Sequence, residues 1–211
     1  MLKVDLHVHS NYSDGHDSVA RLIKAAKEKN LDMMAIVDHG PGHYAGISPD
    51  KLDIRRKEVL EHASLCGIEV LVGIELDLDR PEIHDKKLWD NSFDLVLGSI
   101  HKRCGYSEYF KAVKESIEMI DVLAHHGWMI EDHDDEIELG LIDLLNEHDV
   151  AIEINSRRGL PWRYFLQKCA DSKLRYTIGS DAHRAIQVGK VEWAEDIARE
   201  FFSEQDMYLG K

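Results

Sequence analysis

Seven short apolar runs recur along the chain, and all but one lead straight into a residue type that binds metal ions. Val4–Val8 leads into His9, residues 33–37 into Asp38-His39 and residues 70–74 into Glu75. Residues 94–100 lead into His101, and 122–124 into His125-His126-Gly127. Residues 151–154 lead into Asn155-Ser156-Arg157-Arg158, and Tyr176–Gly179 into Ser180-Asp181-Ala182-His183. Between the runs lie segments with helical periodicity: 18–29 with Ser18 as cap, 49–66 with proline in its first turn and Gly67 beyond its end, 107–119, 136–147, 161–172 and 191–202. Alternation of this kind predicts a parallel sheet with helices outside. An open sheet gathers ligands at one switch point, whereas in a barrel every strand end opens onto a shared mouth. Metal-type residues after six of the seven strands favour the barrel.

The first strand shows the pattern at close range. Alternate side chains share a face, so Asp5, His7 and His9 lie on one side and Val4, Leu6 and Val8 on the other. Taken alone, this is equally an amphipathic strand whose histidines found hydrogen bonds. The same chemistry at one strand end after another removes that reading, because unrelated core histidines have no reason to share it. The nine side chains His7, His9, Asp14, His39, Glu75, His101, His125, Asp181 and His183 are too many for one zinc ion. They would furnish two to three divalent cations, and imidazole with carboxylate suits zinc, manganese or iron. Other histidines read differently: His62 sits on a helix, His148 just beyond one, and His16, His43, His84 and His133 in loops as solvated groups.

Composition narrows the chemistry. The 211 residues, 44% hydrophobic and 31% charged, suit a single domain over 1–211 with no linker or low-complexity tract. A formal net charge of −14 makes long nucleic acid an unlikely partner. Cys66, Cys104 and Cys169 are odd in number and far apart, which suits a reducing cytoplasm rather than a disulfide framework. His101 and Cys104 are close enough in sequence to suggest a ligand pair, but one such pair is uninformative. No apolar run reaches membrane-spanning length, so a soluble, cytoplasmic protein is expected.

Paired cations bind phosphate oxygens and generate a hydroxide nucleophile, so phosphate-ester hydrolysis is the expected reaction. Lys102, Arg103, Arg157 and Arg158 are candidates to clamp the phosphate, with plain surface charge as the alternative. There is no nucleophile elbow and no phosphate-binding glycine loop to suggest another route.

Asp5-Leu6-His7-Val8-His9-Ser10, Asp38-His39, Gly-Ile-Glu75, Gly-Ser-Ile-His101 and Ser180-Asp181-Ala182-His183 together resemble the motifs of the PHP (polymerase and histidinol phosphatase) family. The resemblance runs from the first strand to the last and implies a distorted seven-stranded (β/α)7 TIM-like barrel with a trinuclear metal site. It implies that His7, His9, Glu75 and Asp181 hold one ion, and that Glu75 bridges to a second shared with His101 and His125. Asp14, His39 and His183 would hold the third, and Asp5 would orient a histidine ligand from behind. Two positions depart from the family pattern. His125-His126 stands where His-Pro is common, so His125 matches the ligand and His126 the proline, with His126 as the alternative one residue on; and Asp14 stands where some relatives carry histidine, with His16 as the alternative. The chain also looks shorter than dedicated histidinol phosphatases, which points to a shallower pocket. The resemblance implies hydrolysis of a small phosphomonoester by a metal-bridging hydroxide, as in a histidinol or nucleotide phosphatase. The alternatives are a 3′-5′ exonuclease or phosphodiesterase on short nucleic-acid ends and, in another class, a non-catalytic PHP-like binding subunit.

Overall fold

The computed structural model describes residues 2–89, 93–170 and 172–211. Seven strands pair in chain order and all in parallel: β1 (Val4–Val8), β2 (Met33–Ile36), β3 (Glu69–Asp77), β4 (Leu95–Ser99), β5 (Val122–Leu123), β6 (Ala151–Asn155) and β7 (Tyr176–Gly179). The sheet curls back on itself to form a nearly closed barrel. Its seam is a short bridge just past β7, where His9 N–H donates to Ala182 O (2.8 Å) and Ala182 N–H to His7 O (3.2 Å). The barrel thus closes at the residues expected to bind metal.

Among the described residues six α-helices surround it: α1 (Val19–Glu28), α2 (Leu52–Cys66), α3 (Tyr106–Ser116), α4 (Asp135–Glu147), α5 (Arg163–Cys169) and α6 (Glu192–Phe201). Ser18 Oγ caps α1 by accepting from Arg21 N–H, and Gly67 ends α2 in the left-handed region at φ 60°. Asp134 caps α4, its Oδ1 accepting from Glu136 N–H (3.0 Å) and Ile137 N–H (3.1 Å). Strands of such a barrel are covered on both faces, which is why β1, β2, β4, β6 and β7 are buried throughout.

Three features differ from the sequence-based expectation. The strict alternation lapses between β3 and β4, where two 3-10 turns, Pro81–His84 and Lys86–Leu88, replace a helix. That segment carries Pro81 and no apolar stripe of helical period, and it folds on itself as Trp89 Nε1–H donates to Ile83 O (2.7 Å). β3 also runs on to Asp77, so Glu75 lies within the strand, opposite Leu97, rather than just beyond it. Of the helix expected over 161–172, Asp171 lies outside the described residues, and the observed helix is the shorter α5. Among the described residues no helix is long and apolar enough to cross a membrane.

Candidate metal centre

All nine expected ligands except His7 line one cavity of about 480 Å³ at the C-terminal ends of the strands. His7 lies directly beneath it, fully buried. Glu75 is the hub. Its Oε1 lies 3.0 Å from His125 Nε2 and 3.6 Å from His101 Nε2. Its Oε2 lies 2.9 Å from His39 Nδ1, 3.4 Å from His9 Nε2 and 3.6 Å from His7 Nε2. Asp181 Oδ1 stands 3.8 Å from His9 Nε2. On the outer side, Asp14 Oδ2 lies 3.1 Å from His183 Nε2 and 3.7 Å from His39 Nε2. Eight of these side chains fall into three overlapping groups, His7, His9 and Glu75; Glu75, His101 and His125; and His9, Asp14, His39 and His183, with Asp181 beside the first.

Backbone geometry aims two of them. His125 (φ 29°) and Asp181 (φ 51°) both adopt positive φ, a conformation that costs a non-glycine residue roughly 1–3 kcal/mol. β5 is only two residues long, so His125 turns toward Glu75 immediately after it. His126 points away, between the hydroxyls of Tyr106 (3.1 Å) and Tyr109 (3.0 Å), and burial pushes its ring down to about 3. In the first loop Asp14 reaches the other ligands while His16 stays on the cavity rim.

Two carboxylates absent from the expected set hold the rings in place. Glu153 Oε1 accepts from His7 Nδ1 (2.7 Å), and Asp77 Oδ1 from His101 Nδ1 (2.6 Å), so in each ring Nε2 faces Glu75. Glu153 Oε2 also accepts from His125 N–H (2.7 Å) and from Asn155 Nδ2 (3.1 Å). Both acids were detectable in principle: each is a charge inside an apolar strand, on the same face as a second polar group two residues on or back. Asp5 has a different partner from the one expected. Its carboxylate accepts from Ser180 N–H (2.9 Å), Ser180 Oγ (2.6 Å) and Gly189 N–H (2.7 Å). It therefore orients the loop carrying Asp181 and His183 rather than an imidazole.

The cationic candidates separate. Arg157 and Arg158 line the cavity, whereas Lys102 pairs with Glu108 (2.7 Å) and Arg103 with Glu131 (3.4 Å) on the exposed surface. Arg157 Nη1 reaches Asp181 Oδ1 (3.3 Å) and His183 Nδ1 (2.7 Å). The Arg158 guanidinium lies 3.8 Å above the Trp128 ring, which itself stands edge-on to His101 and His125. His43, expected to be solvated, is half-buried on the cavity wall.

The donor set fits divalent cations. Among the described residues, the buried atoms His9 Nδ1 and Asp14 Oδ1 have no hydrogen-bond partner, and His39 Nδ1 and Glu75 Oε2, 2.9 Å apart, do not meet at hydrogen-bonding angles. The Nε2 atoms of His7 and His9 lie 2.9 Å apart, a separation natural for two nitrogens directed at one cation. Charges in the cluster are strongly coupled. Burial would raise the Glu75 carboxyl, yet the His39, His7 and His101 rings hold it well below the ordinary carboxylate range. Burial would also lower His39, but the Glu75 charge beside it lifts its ring to about 10. Burial and the neighbouring His39 push His9 well down, keeping its lone pairs free.

Gly179 explains how β7 fits beside this assembly. A Cβ there would fall 2.2 Å from Glu153 Oε1 and 2.6 Å from His7 Cβ. Gly179→Ala is thus expected to push the His7–Glu153 pair apart and to destabilise the fold by about 1–3 kcal/mol, the usual scale for overpacking. Denaturant unfolding together with cation content per chain measures both effects.

The comparisons agree with this architecture. The family model described as the PHP domain matches residues 5–208. A probable phosphatase of Vibrio cholerae serotype O1 (strain M66-2) is 30% identical, over 94% of this chain and 85% of that protein. A probable phosphatase of Thermoanaerobacter sp. (strain X514) is 28% identical over 99% of this chain and 90% of its own length. The DNA polymerase/3′-5′ exonuclease PolX of Bacillus subtilis (strain 168) is 27% identical over 99% of this chain, which spans only 39% of PolX. Among solved structures, the histidinol phosphate phosphatase of Lactococcus lactis, complexed with zinc, L-histidinol and phosphate, superposes with a TM-score of 0.74. It is 19% identical, with 96% of this chain and 95% of that one covered, and so speaks for the fold. The motifs, the barrel and these matches place the chain in the PHP domain family.

Proposed function

We propose that the chain is a metal-dependent phosphoesterase that removes phosphate from a small phosphomonoester. The observation that carries this reading is the convergence of three imidazole–carboxylate groups with Arg157 and Arg158 in a single cavity. His7, His9, Glu75 and Asp181 would hold one cation, Glu75, His101 and His125 a second, and Asp14, His39 and His183 a third. Bound there, divalent ions would supply Lewis-acid binding of phosphate oxygens and a water activated at neutral pH. Glu75, with Oε2 toward His7 and His9 and Oε1 toward His101 and His125, would serve both of the first two positions. Arg157 and Arg158, on the far side of the barrel in strand order from His39, supply guanidinium donors suited to a phosphoryl group. Glu153 and Asp77 keep Nε2 of His7 and His101 directed inward. A cavity of about 480 Å³ suits a small-molecule ligand, and relatives at 28–30% identity bear the name phosphatase.

Similarity to PolX favours a second reading, a phosphodiesterase acting on short nucleic-acid ends. The −14 net charge restricts that reading to a short terminus held at the cavity. The test combines elemental analysis of cations per chain with turnover of p-nitrophenyl phosphate and bis-p-nitrophenyl phosphate, before and after loading with manganese or zinc. Two to three cations with monoester turnover are expected. Preference for the diester promotes the second reading, and a loaded protein inert toward both refutes the phosphoesterase reading altogether.

A further inference from the structure

The loop after β2 carries an imidazole outside the expected ligand set. The His43 ring stacks on His39, with centroids 3.7 Å apart and planes 23° from parallel, and stands edge-on to His101 at 5.4 Å. Its loop is pinned at both ends. Gly40 N–H donates to Glu75 O (2.7 Å), Ile47 N–H to His39 O (2.8 Å), and Gly46 N–H to His43 O (3.0 Å). The turn is tight enough that a Cβ on Gly46 would fall 2.0 Å from Gly40 O. The ring is therefore held by the same strand ends that carry the ligands. Ala45 N–H donates to His43 Nδ1 (3.3 Å), which assigns the lone pair to Nδ1 and the ring proton to Nε2. His43 is thus a fixed neutral donor on the cavity wall, between the ligand His39 and the exposed Tyr44, whose ring is 4.4 Å away.

We propose that His43 is a catalytic residue, its Nε2–H donating a hydrogen bond to the ester oxygen on which the phosphoryl group leaves. This rests on the phosphomonoesterase reading. Negative charge builds on that oxygen as its bond to phosphorus breaks, and a rigid donor aimed at developing charge lowers the barrier. The oxygen of the attacking water bonds to phosphorus as the ester oxygen leaves with the bonding electron pair; the Nε2 proton stays on the ring, and the departing oxygen takes its proton from solvent. The location is compatible with the assignment: Arg157 and Arg158 follow β6 and His43 follows β2, so guanidinium donors and the imidazole donor stand on different walls of one cavity. Asp77, the acid nearest to a competing ligand role for His43, is already engaged by His101 Nδ1 (2.6 Å).

The experiment compares cation-loaded wild type, His43→Phe and His43→Gln on p-nitrophenyl phosphate, an acidic leaving group, and glycerol 3-phosphate, a weakly acidic one. Phenylalanine keeps a flat ring on His39 and removes the donor; glutamine removes the ring and returns an N–H. His43→Phe is expected to lower kcat on glycerol 3-phosphate about 100-fold, the scale of one lost oxyanion donor, with only a few-fold loss on p-nitrophenyl phosphate and unchanged cation content. His43→Gln is expected to regain at least about 10-fold of that loss. Equal losses on the two substrates, or no loss on glycerol 3-phosphate, overturn the assignment. A fall in bound cations makes His43 a ligand instead. Wild-type protein inert toward both monoesters defeats the underlying reading, a result distinct from any of these.

Discussion

Glu75→Gln is expected to abolish hydrolysis while the barrel still folds. The carboxylate is fully buried, and its two oxygens lie within 3.6 Å of five imidazoles. Glutamine has the same shape, so it creates no cavity and no clash. It replaces one acceptor oxygen with an NH2 group, however, and removes what is, among the described residues, the only negative charge shared by two of the ligand groups. The His9 and His39 rings, which now face an anion, would face a neutral amide, and cation affinity at both Glu75 positions should collapse. We expect fewer bound cations by elemental analysis and a loss of kcat of at least about 10³-fold, on the scale of removing a preorganised electrostatic contact. The stabilisation that added metal gives the wild type, about 4 kcal/mol at a thousandfold excess over Kd, should shrink in the variant. Glu153→Gln makes a sharp contrast. It touches His7 and His125 from behind, so a loss of about 10–100-fold in metal affinity or activity is expected. Equal, small effects of the two substitutions would mean that Glu75 is not the hub.

The distance between what the sequence announces and what the structure adds is clear in these two acids. Glu75, His101 and Asp181 stand out because polar residues at the ends of apolar runs contradict burial and recur in run order. Their register with one another needs no knowledge of the loops, since parallel strands of one barrel must end together. Glu153 and Asp77 lie within strands, where a single acid looks like an outward-facing polar residue until the partner strand is known. Only the pairing of β6 with β7 and the β1–β7 seam bring Glu153 against His7. His43 escaped for a related reason: a histidine between glycines reads as solvated, and its burial depends on a turn whose closure is a matter of backbone hydrogen bonds. The cationic residues show the reverse error. Four charges at two strand ends look equivalent in sequence, yet only Arg157 and Arg158 line the cavity, because neighbouring acids draw Lys102 and Arg103 outward. The segment between β3 and β4 was legible as non-helical from Pro81 and its missing periodicity, although the alternation argument passed over it.

Arg55→Ala is expected to produce the largest loss of stability, about 3–5 kcal/mol, as when one member of a buried ion pair is left alone. Arg55 lies on α2 with its side chain wholly buried, Nη1 on Asp38 Oδ2 (3.0 Å) and Nη2 on Gly73 O (2.6 Å). Asp38 also accepts from Ser10 N–H (2.7 Å), Ser10 Oγ (2.8 Å) and Ser13 Oγ (2.7 Å). One guanidinium therefore joins the end of β1, the end of β2 and the middle of β3, next in sequence or nearly so to His9, His39 and Glu75. Alanine leaves the Asp38 carboxylate buried with three neutral donors and no countercharge. Arg55→Lys keeps a charge but loses the planar fork that spans Asp38 and Gly73, so an intermediate loss is expected. Asp38→Asn combined with Arg55→Met removes both charges, keeps an acceptor for Ser10, and should recover a good part of the stability lost in Arg55→Ala. Denaturant unfolding of Asp38→Asn, Arg55→Met and the double gives the coupling directly. A coupling below about 0.5 kcal/mol, the usual limit for independent sites, would show that the strand ends hold their places without the pair. A large coupling with cation content reduced in Arg55→Ala would tie the buried pair to the geometry of the metal centre above it.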